Sequence, residues 1–308
     1  MKLKLISGTS NIQLANDISS HLGIPLTQRI IKRFKDGEIY TQISENIRGD
    51  DVFVIQSICN PVNDNLMELL IIIDALKRAS AGRITAVITY YGYARQDRKA
   101  EAREPITAKL VANILTSAGA DRVLTIDLHA PQLQGFFDIP ADGISAIPLF
   151  AKYFAEKNIT NGVIVSPDTG GIKRALSLAK RLNMPIAIID KRRTAHNEAE
   201  VVNMVGDVEG KTAILIDDII DTGTSIIKAA NKLSETASEV YICATHAVFS
   251  DNCYKKLNES KAKEIVVSDT IHIGVNPGDK IKIISMAKLL ADVINNINND
   301  KSVSTLFI

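Results

Sequence analysis

Residues 213–225 read Ala-Ile-Leu-Ile-Asp-Asp-Ile-Ile-Asp-Thr-Gly-Thr-Ser. An apolar, β-branched run leads into two carboxylates, a Thr/Gly-rich loop follows, and the amphipathic segment Ser225–Leu233 begins where the loop ends. A run without polar alternation predicts a strand buried on both faces, as in a parallel sheet covered by helices. Backbone amides of a loop that opens onto a helix N-terminus form a cradle for phosphate. Hydroxyls of Thr222, Thr224 and Ser225 add donors, and Asp217 and Asp218 are placed to accept hydrogen bonds from vicinal sugar hydroxyls. The set suits a sugar phosphate better than a bare phosphate. An isolated Asp-Asp or Thr-Gly would mean only a solvated turn; agreement of strand, loop and helix carries the reading.

Working outward, the same alternation recurs from end to end. Strands are predicted at Lys2–Ser7, Val52–Ser57, Ile84–Tyr90, Val123–Leu128, Val163–Ser166, Ile186–Asp190, Ala213–Asp217, Val240–Thr245, Glu264–Val267 and Ile281–Ile284. Amphipathic segments such as Asn65–Ala79, Ile106–Ala118 and Ile172–Leu182 lie between them. Repeated strand–helix–strand order predicts α/β domains with right-handed crossovers. Pro140, Gly143 and Pro148 interrupt the pattern and suggest a boundary, giving domains 1–143 and 144–308. The C-terminal helix Lys288–Asn299 and the tail Ser302–Ile308 are free to pack back on either domain, the tail in particular on the first. In open parallel sheets ligands bind beyond the carboxyl ends of strands, and the remaining motifs sit at such ends.

The segment Tyr90-Tyr-Gly-Tyr-Ala-Arg-Gln-Asp-Arg-Lys99 puts Arg95 and Gln96 at the mouth of a strand, where a guanidinium can fork onto phosphate oxygens. Asp127 and His129 stand two apart at the end of another strand, which predicts a shared face. Ser166-Pro-Asp-Thr-Gly-Gly171 places Asp168 before a glycine turn, as an oxygen donor for Mg²⁺. Ile188-Ile-Asp-Lys-Arg-Arg193 is a basic strand end on which Lys191 and Arg193 alternate; Thr194 to Gly210 beyond it reads as a mobile flap. Phe34-Lys-Asp-Gly-Glu38 says only that the chain turns.

Together with Gly135-Phe-Phe-Asp-Ile-Pro140 and Ser302-Val-Ser-Thr-Leu-Phe307, these segments resemble the ribose-phosphate pyrophosphokinase family in order and spacing across the chain. The resemblance implies two similar phosphoribosyltransferase-like domains, each a mainly parallel sheet flanked by helices, assembled as hexamers built from dimers. It implies transfer of the diphosphate of Mg-ATP to ribose 5-phosphate, activation by inorganic phosphate and Mg²⁺, and inhibition by ADP. Phe34, Asp36, Gly37 and Glu38 would bind adenine from a neighbouring subunit, and Arg95 and Gln96 would bind ATP. His129 and Asp168 would position magnesium. Lys191 would be the catalytic lysine, with Arg193 its partner and a further ribose 5-phosphate contact. Asp217, Asp218, Asp221, Thr222, Gly223, Thr224 and Ser225 would hold ribose 5-phosphate. Where the family pattern leads us to expect glycine and then threonine, this chain has Thr224 and Ser225.

Composition sets bounds on the alternatives. The 308 residues suffice for two domains, and 36 basic against 35 acidic residues leave a net charge of +1. No long basic block points to nucleic acid or an anionic membrane. Three cysteines without metal-ligand spacing predict neither a disulfide framework nor a zinc site and fit a reducing, cytoplasmic setting. A salvage phosphoribosyltransferase would have no use for the motifs of the first half. A regulatory homologue carries insertions or loses active-site residues, whereas Lys191, Arg193, His129 and Asp168 are all present.

Overall fold

The computed structural model describes residues 1–192 and 201–306, with side chains for all of these except 190–192 and 201–203. Two compact units result. Unit 1 comprises Met1–Ser145, Thr270–His272 and the described residues from Ser285 on; unit 2 comprises Ala146–Asp269 and Ile273–Ile284.

Unit 1 begins with β1 (Leu3–Ser7) and α1 (Ile12–Leu22), then a hairpin of β2 (Arg29–Arg33) and β3 (Ile39–Ile43). There follow β4 (Asp51–Gln56), α2 (Val62–Arg78), β5 (Arg83–Ile88), α3 (Thr107–Ala118), β6 (Arg122–Ile126) and β7 (Ala141–Ile144). The sheet runs β1-β4-β5-β6-β7, all parallel. Leu26 bridges the other side of β1 at Leu5, so chain order reverses there.

Unit 2 opens with α4 (Ile147–Ala155), β8 (Gly162–Ser166), α5 (Ile172–Leu182), β9 (Ile186–Arg192) and β10 (Val201–Val205). β11 (Thr212–Ile220), α6 (Thr224–Leu233), β12 (Glu239–Ala247), α7 (Cys253–Glu259), β13 (Glu264–Ser268) and β14 (Ile281–Ile284) complete it. The sheet order is β10-β9-β8-β11-β12-β13-β14, with β10 antiparallel to β9 and the rest parallel. Chain order reverses at β8, as it does at β1. Helix α8 (Ala287–Asn298) returns to unit 1 and packs on α1, as α4 packs on α5. One topology is therefore built twice, without a visible sequence repeat. The α/β class with helix-flanked parallel sheets, expected from the apolar runs, is the architecture observed, because strands such as Val52–Ile55 are almost wholly excluded from solvent.

Several elements differ from the expectation. The β2–β3 hairpin, β7 and β10 were not predicted. β10 lies within the 194–210 segment expected to be a flap, where residues 201–205 pair in register with β9. Gly143 sits inside β7, and Pro148 occupies the first turn of α4, where a missing N–H has no helical partner to lose. The three cysteines are buried and unpaired. Among the described residues no helix is long and apolar enough to cross a membrane.

The return of α8 is tied by a buried charge. Asp51 is fully buried and accepts from Arg83 through both oxygens, Nε to Oδ1 at 2.8 Å and Nη2 to Oδ2 at 2.6 Å. Arg83 also donates to the Ile297 carbonyl at 3.0 Å, and Asn298 donates to Asp51 at 2.9 Å. Replacing the guanidinium leaves an uncompensated buried carboxylate, so Arg83→Leu should destabilise by about 3–5 kcal/mol. Denaturant unfolding midpoints check this; a loss below about 1 kcal/mol would mean water reaches Asp51 freely.

Candidate functional site

In unit 2 the reversal of strand order falls between β8 and β11, the place where open parallel sheets hold ligands beyond their strand ends. Two loops meet there. After β8, Asp168 is exposed and accepts from the Gly171 N–H through Oδ1 at 3.0 Å, while Ser166 Oγ donates to the Asp168 carbonyl at 2.7 Å. After β11 comes the acidic segment, but the strand continues to Ile220 instead of ending at Asp217. Asp217 and Asp218 are thus strand residues, Asp217 pairing in register with Ala244.

A side chain that the sequence did not single out joins them. Arg174, in the first turn of α5, faces Asp217 Oδ1 through Nη1 at 3.4 Å and Asp218 Oδ1 through Nη2 at 3.3 Å. Burial, and then the neighbouring Asp218, push the Asp217 carboxyl well above the usual carboxylate range, while Arg174 opposes that shift. The missed signal was spacing. Arg174 stands four residues before Leu178, which is fully buried, so it lies on the core side of the helix and not on a solvated face.

The loop that follows β11 turns at Gly223, whose φ of +73° is the left-handed conformation that glycine adopts freely. Gly223 is the N-cap of α6, without a side-chain cap hydrogen bond, and Ser225 is the second residue of the helix. Thr222 and Thr224 hydroxyls lie 3.3 Å apart, and Thr222, Thr224 and Ser225 are exposed around the free N–H groups of the first turn. A helix N-terminus ringed by hydroxyls, next to a carboxylate pair, can take an anion and a diol together.

Thr224 is the first helical residue and has negative φ, which the wider side chain tolerates without strain. Thr224→Gly should therefore change the affinity for a sugar phosphate by less than about tenfold, roughly 1.4 kcal/mol, with a slight loss of stability through extra freedom in the unfolded chain. Titration calorimetry with a pentose phosphate checks it; a hundredfold gain in affinity would mean the threonine compromises the loop.

Unit 1 carries the other candidates. Phe34 to Glu38 form the turn of the β2–β3 hairpin: Phe34 N–H donates to the Glu38 carbonyl at 2.9 Å, and Glu38 N–H donates to Asp36 Oδ1 at 3.1 Å. Gly37 takes a φ of +96°. Phe34 is half exposed and meets Tyr40 edge-on at 5.8 Å. At the end of β5, residues 91–95 turn sharply; Gly92 fits because a Cβ there would lie 2.5 Å from the Ile58 carbonyl oxygen. The turn leaves Arg95 and Gln96 exposed, and Thr107 at the start of α3 donates to Gln96 Oε1 at 2.5 Å.

The strand alternation from which a shared face was expected for Asp127 and His129 is absent. β6 ends at Ile126 and Asp127 has a φ of +36°, so strand alternation stops before either residue. His129 is exposed beyond that bend. In β9, Lys191 pairs in register with Val202, while Arg193 lies outside the described residues. Among the described residues no group of three or more His, Cys, Asp or Glu side chains could hold a metal by itself. Magnesium needs none, since it takes most of its ligands from phosphates and water, and the exposed Asp168 carboxylate fits that mode.

Comparison with known proteins extends the geometry. Residues 3–119 match the N-terminal domain of ribose phosphate pyrophosphokinase, and residues 193–308 match a phosphoribosyl synthetase-associated domain. A ribose-phosphate pyrophosphokinase of Bacillus caldolyticus is 57% identical over 99% of this chain and 98% of its own. One from Fusobacterium nucleatum is 55% identical, again over 99% and 98%. The crystal structure of phosphoribosylpyrophosphate synthetase from Mycobacterium smegmatis superposes with a TM-score of 0.93 at 43% identity, covering 97% of this chain and all of that one.

Proposed function

The chain belongs to the ribose-phosphate pyrophosphokinase family, and from that premise we infer its activity: the β,γ-diphosphate of ATP passes to the C1 hydroxyl of ribose 5-phosphate. The products are 5-phospho-α-D-ribose 1-diphosphate and AMP. The observation that supports this best is the β8–β11 crevice, where the half-buried Asp217 and the buried Asp218 precede the hydroxyl-bearing N-terminus of α6. The helix end takes the 5-phosphate and the carboxylates accept from the ribose hydroxyls.

In the reaction the C1 oxygen attacks the β-phosphorus and the α,β-bridging oxygen leaves with AMP. Little covalent work falls to the protein, so positioning and charge stabilisation carry the rate. Lys191 and Arg193 neutralise charge that develops on the transferred group, with Arg95 and Gln96 on the nucleotide. Magnesium, when bound, offsets the charge of the polyphosphate; Asp168 and His129 are the side chains we assign to it. Phe34, Asp36, Gly37 and Glu38 receive adenine from a neighbouring subunit, in a homo-oligomer of hexamer type located in the cytoplasm, activated by phosphate and inhibited by ADP.

Incubation with Mg-ATP and ribose 5-phosphate should yield AMP and the diphosphorylated sugar in equal amounts. Stoichiometric ADP with a ribose bisphosphate would mean an ordinary kinase. The shared adenine site has its own check. Mixing an inactive Phe34→Ala chain with an inactive Lys191→Ala chain should restore partial activity after subunits exchange. No restoration in verified mixed oligomers would place the whole site in one chain.

A further inference from the structure

The duplicated topology supplies an internal control for the charges of the ribose-phosphate crevice. β1 and β8 each end in serine, Ser7 and Ser166, and each is followed by a loop and a helix. In unit 1, Ser7 pairs with Ile55 of β4; in unit 2, Val165 pairs with Leu215 of β11, which sets Ser166 level with Ile216. The next residues therefore correspond: Gln56 with Asp217, and Ser57 with Asp218. The third residue of each helix corresponds as well, Leu14 in α1 with Arg174 in α5.

Unit 1 thus builds the same strand–loop–helix junction with leucine, glutamine and serine where unit 2 has arginine and two aspartates. Its junction is closed. Ser10 Oγ donates to Gln56 Oε1 at 2.6 Å, Ser57 N–H donates to Ser10 Oγ at 2.7 Å, and Gln56 Nε2 donates to Glu68 at 2.9 Å. Leu14 is 1% exposed, and a Cβ on Gly8 would collide with the Gln56 amide. The fold does not require the ion triad. Nor does the triad favour stability by itself, since taking three charged groups out of water opposes the gain from pairing them. Arg174 is 16% exposed, Asp217 27% and Asp218 5%, with one guanidinium divided between two carboxylates.

We propose, resting on the function inferred above, that Arg174 is a positioning residue for the sugar: it holds Asp217 and Asp218 side by side, so that they meet the vicinal hydroxyls of ribose 5-phosphate. Without it the two carboxylates repel each other and the raised Asp217 carboxyl retains its proton more firmly, so fewer acceptor oxygens face the sugar.

The test uses the full chain with Arg174→Leu, the residue unit 1 carries, and Arg174→Lys. Calorimetry with ribose 5-phosphate and with 2-deoxyribose 5-phosphate, kinetics for both substrates and thermal melting are compared. We expect Arg174→Leu to weaken ribose 5-phosphate by about 30-fold or more, to leave the KM for ATP within about threefold, and to reduce the preference for ribose over 2-deoxyribose. Arg174→Lys should recover part of the loss, because an ammonium neutralises the pair without bridging it. Should the leucine variant not fold, Arg174→Gln carries the same comparison. Unchanged binding and sugar preference, or equal losses toward both substrates with a lowered melting temperature, would overturn the proposal. So would a loss confined to kcat, which would put Arg174 on the reacting phosphates. If the wild-type chain itself binds no ribose 5-phosphate, the function inferred above fails as well, an outcome separate from failure of the Arg174 variants alone.

Discussion

Lys191→Ala should lower kcat by about 10²–10⁴-fold while changing substrate binding only several-fold. Lys191 belongs to β9 and pairs in register with Val202 of β10. In the role proposed for it, this cation is not needed to hold the ground-state substrates. The proposed role is to meet charge as the β-phosphorus passes between oxygens, when the bond to AMP lengthens and negative charge spreads over the transferred group. An interaction made mainly in the transition state raises kcat and leaves KM almost alone, and removing it reverses that. Single-turnover kinetics with equilibrium ATP binding separates the two. Should ATP binding collapse while kcat survives, Lys191 is a ground-state ligand.

Gly223→Val should raise the KM for ribose 5-phosphate by roughly 30- to 1,000-fold and leave the KM for ATP within a few-fold. At φ +73° any side chain is strained, and a β-branched one most of all. Space is short as well: a Cβ at this position would lie 3.3 Å from Ile227 Cδ1 and 3.4 Å from Cys253 Cβ before valine adds its two methyls. The loop must then move, and the exposed N–H groups of Thr224 and Ser225 move with it. Gly223→Ala, which avoids the γ-methyl clashes, should fall between wild type and valine. A valine variant with unaltered KM would mean that ribose 5-phosphate does not rest on this loop. The contrast with Thr224→Gly is the useful one, because neighbouring positions of one loop are expected to respond differently for reasons that lie in φ and in the space beside Gly223.

Most of the parallel framework was legible because its strands are apolar on both faces and need no partner to be recognised. The β2–β3 hairpin was not, since its residues are half exposed and polar, and a two-stranded pattern of that kind looks like loop. β7 and β10 were hidden for similar reasons. Each is a short edge strand: one contains Gly143, and the other is a five-residue run, Val201–Val205, inside the 194–210 stretch that reads as a flap. Within the site, Asp217, Asp218 and the Gly223 turn were readable from type and spacing. The alternation argument at Asp127 and His129 failed because a positive φ at Asp127 ends the strand, and no residue type announces that. Arg174 was missed because an arginine between Lys173 and Ala175 looks solvated until the opposing strand is in place. The duplication was legible only in the topology. Corresponding residues of the two units, such as Gln56 and Asp217, have diverged with their different tasks.

The central claim is that a diphosphate moves as one piece from ATP to the C1 oxygen. Three parallel reactions with ribose 5-phosphate, using ATP labelled with ³²P at the α, β or γ position, test it most directly. With transfer in one piece, β and γ label appear together in the sugar product and α label remains wholly in AMP. Transfer of γ label alone, with β label left in ADP, would contradict it.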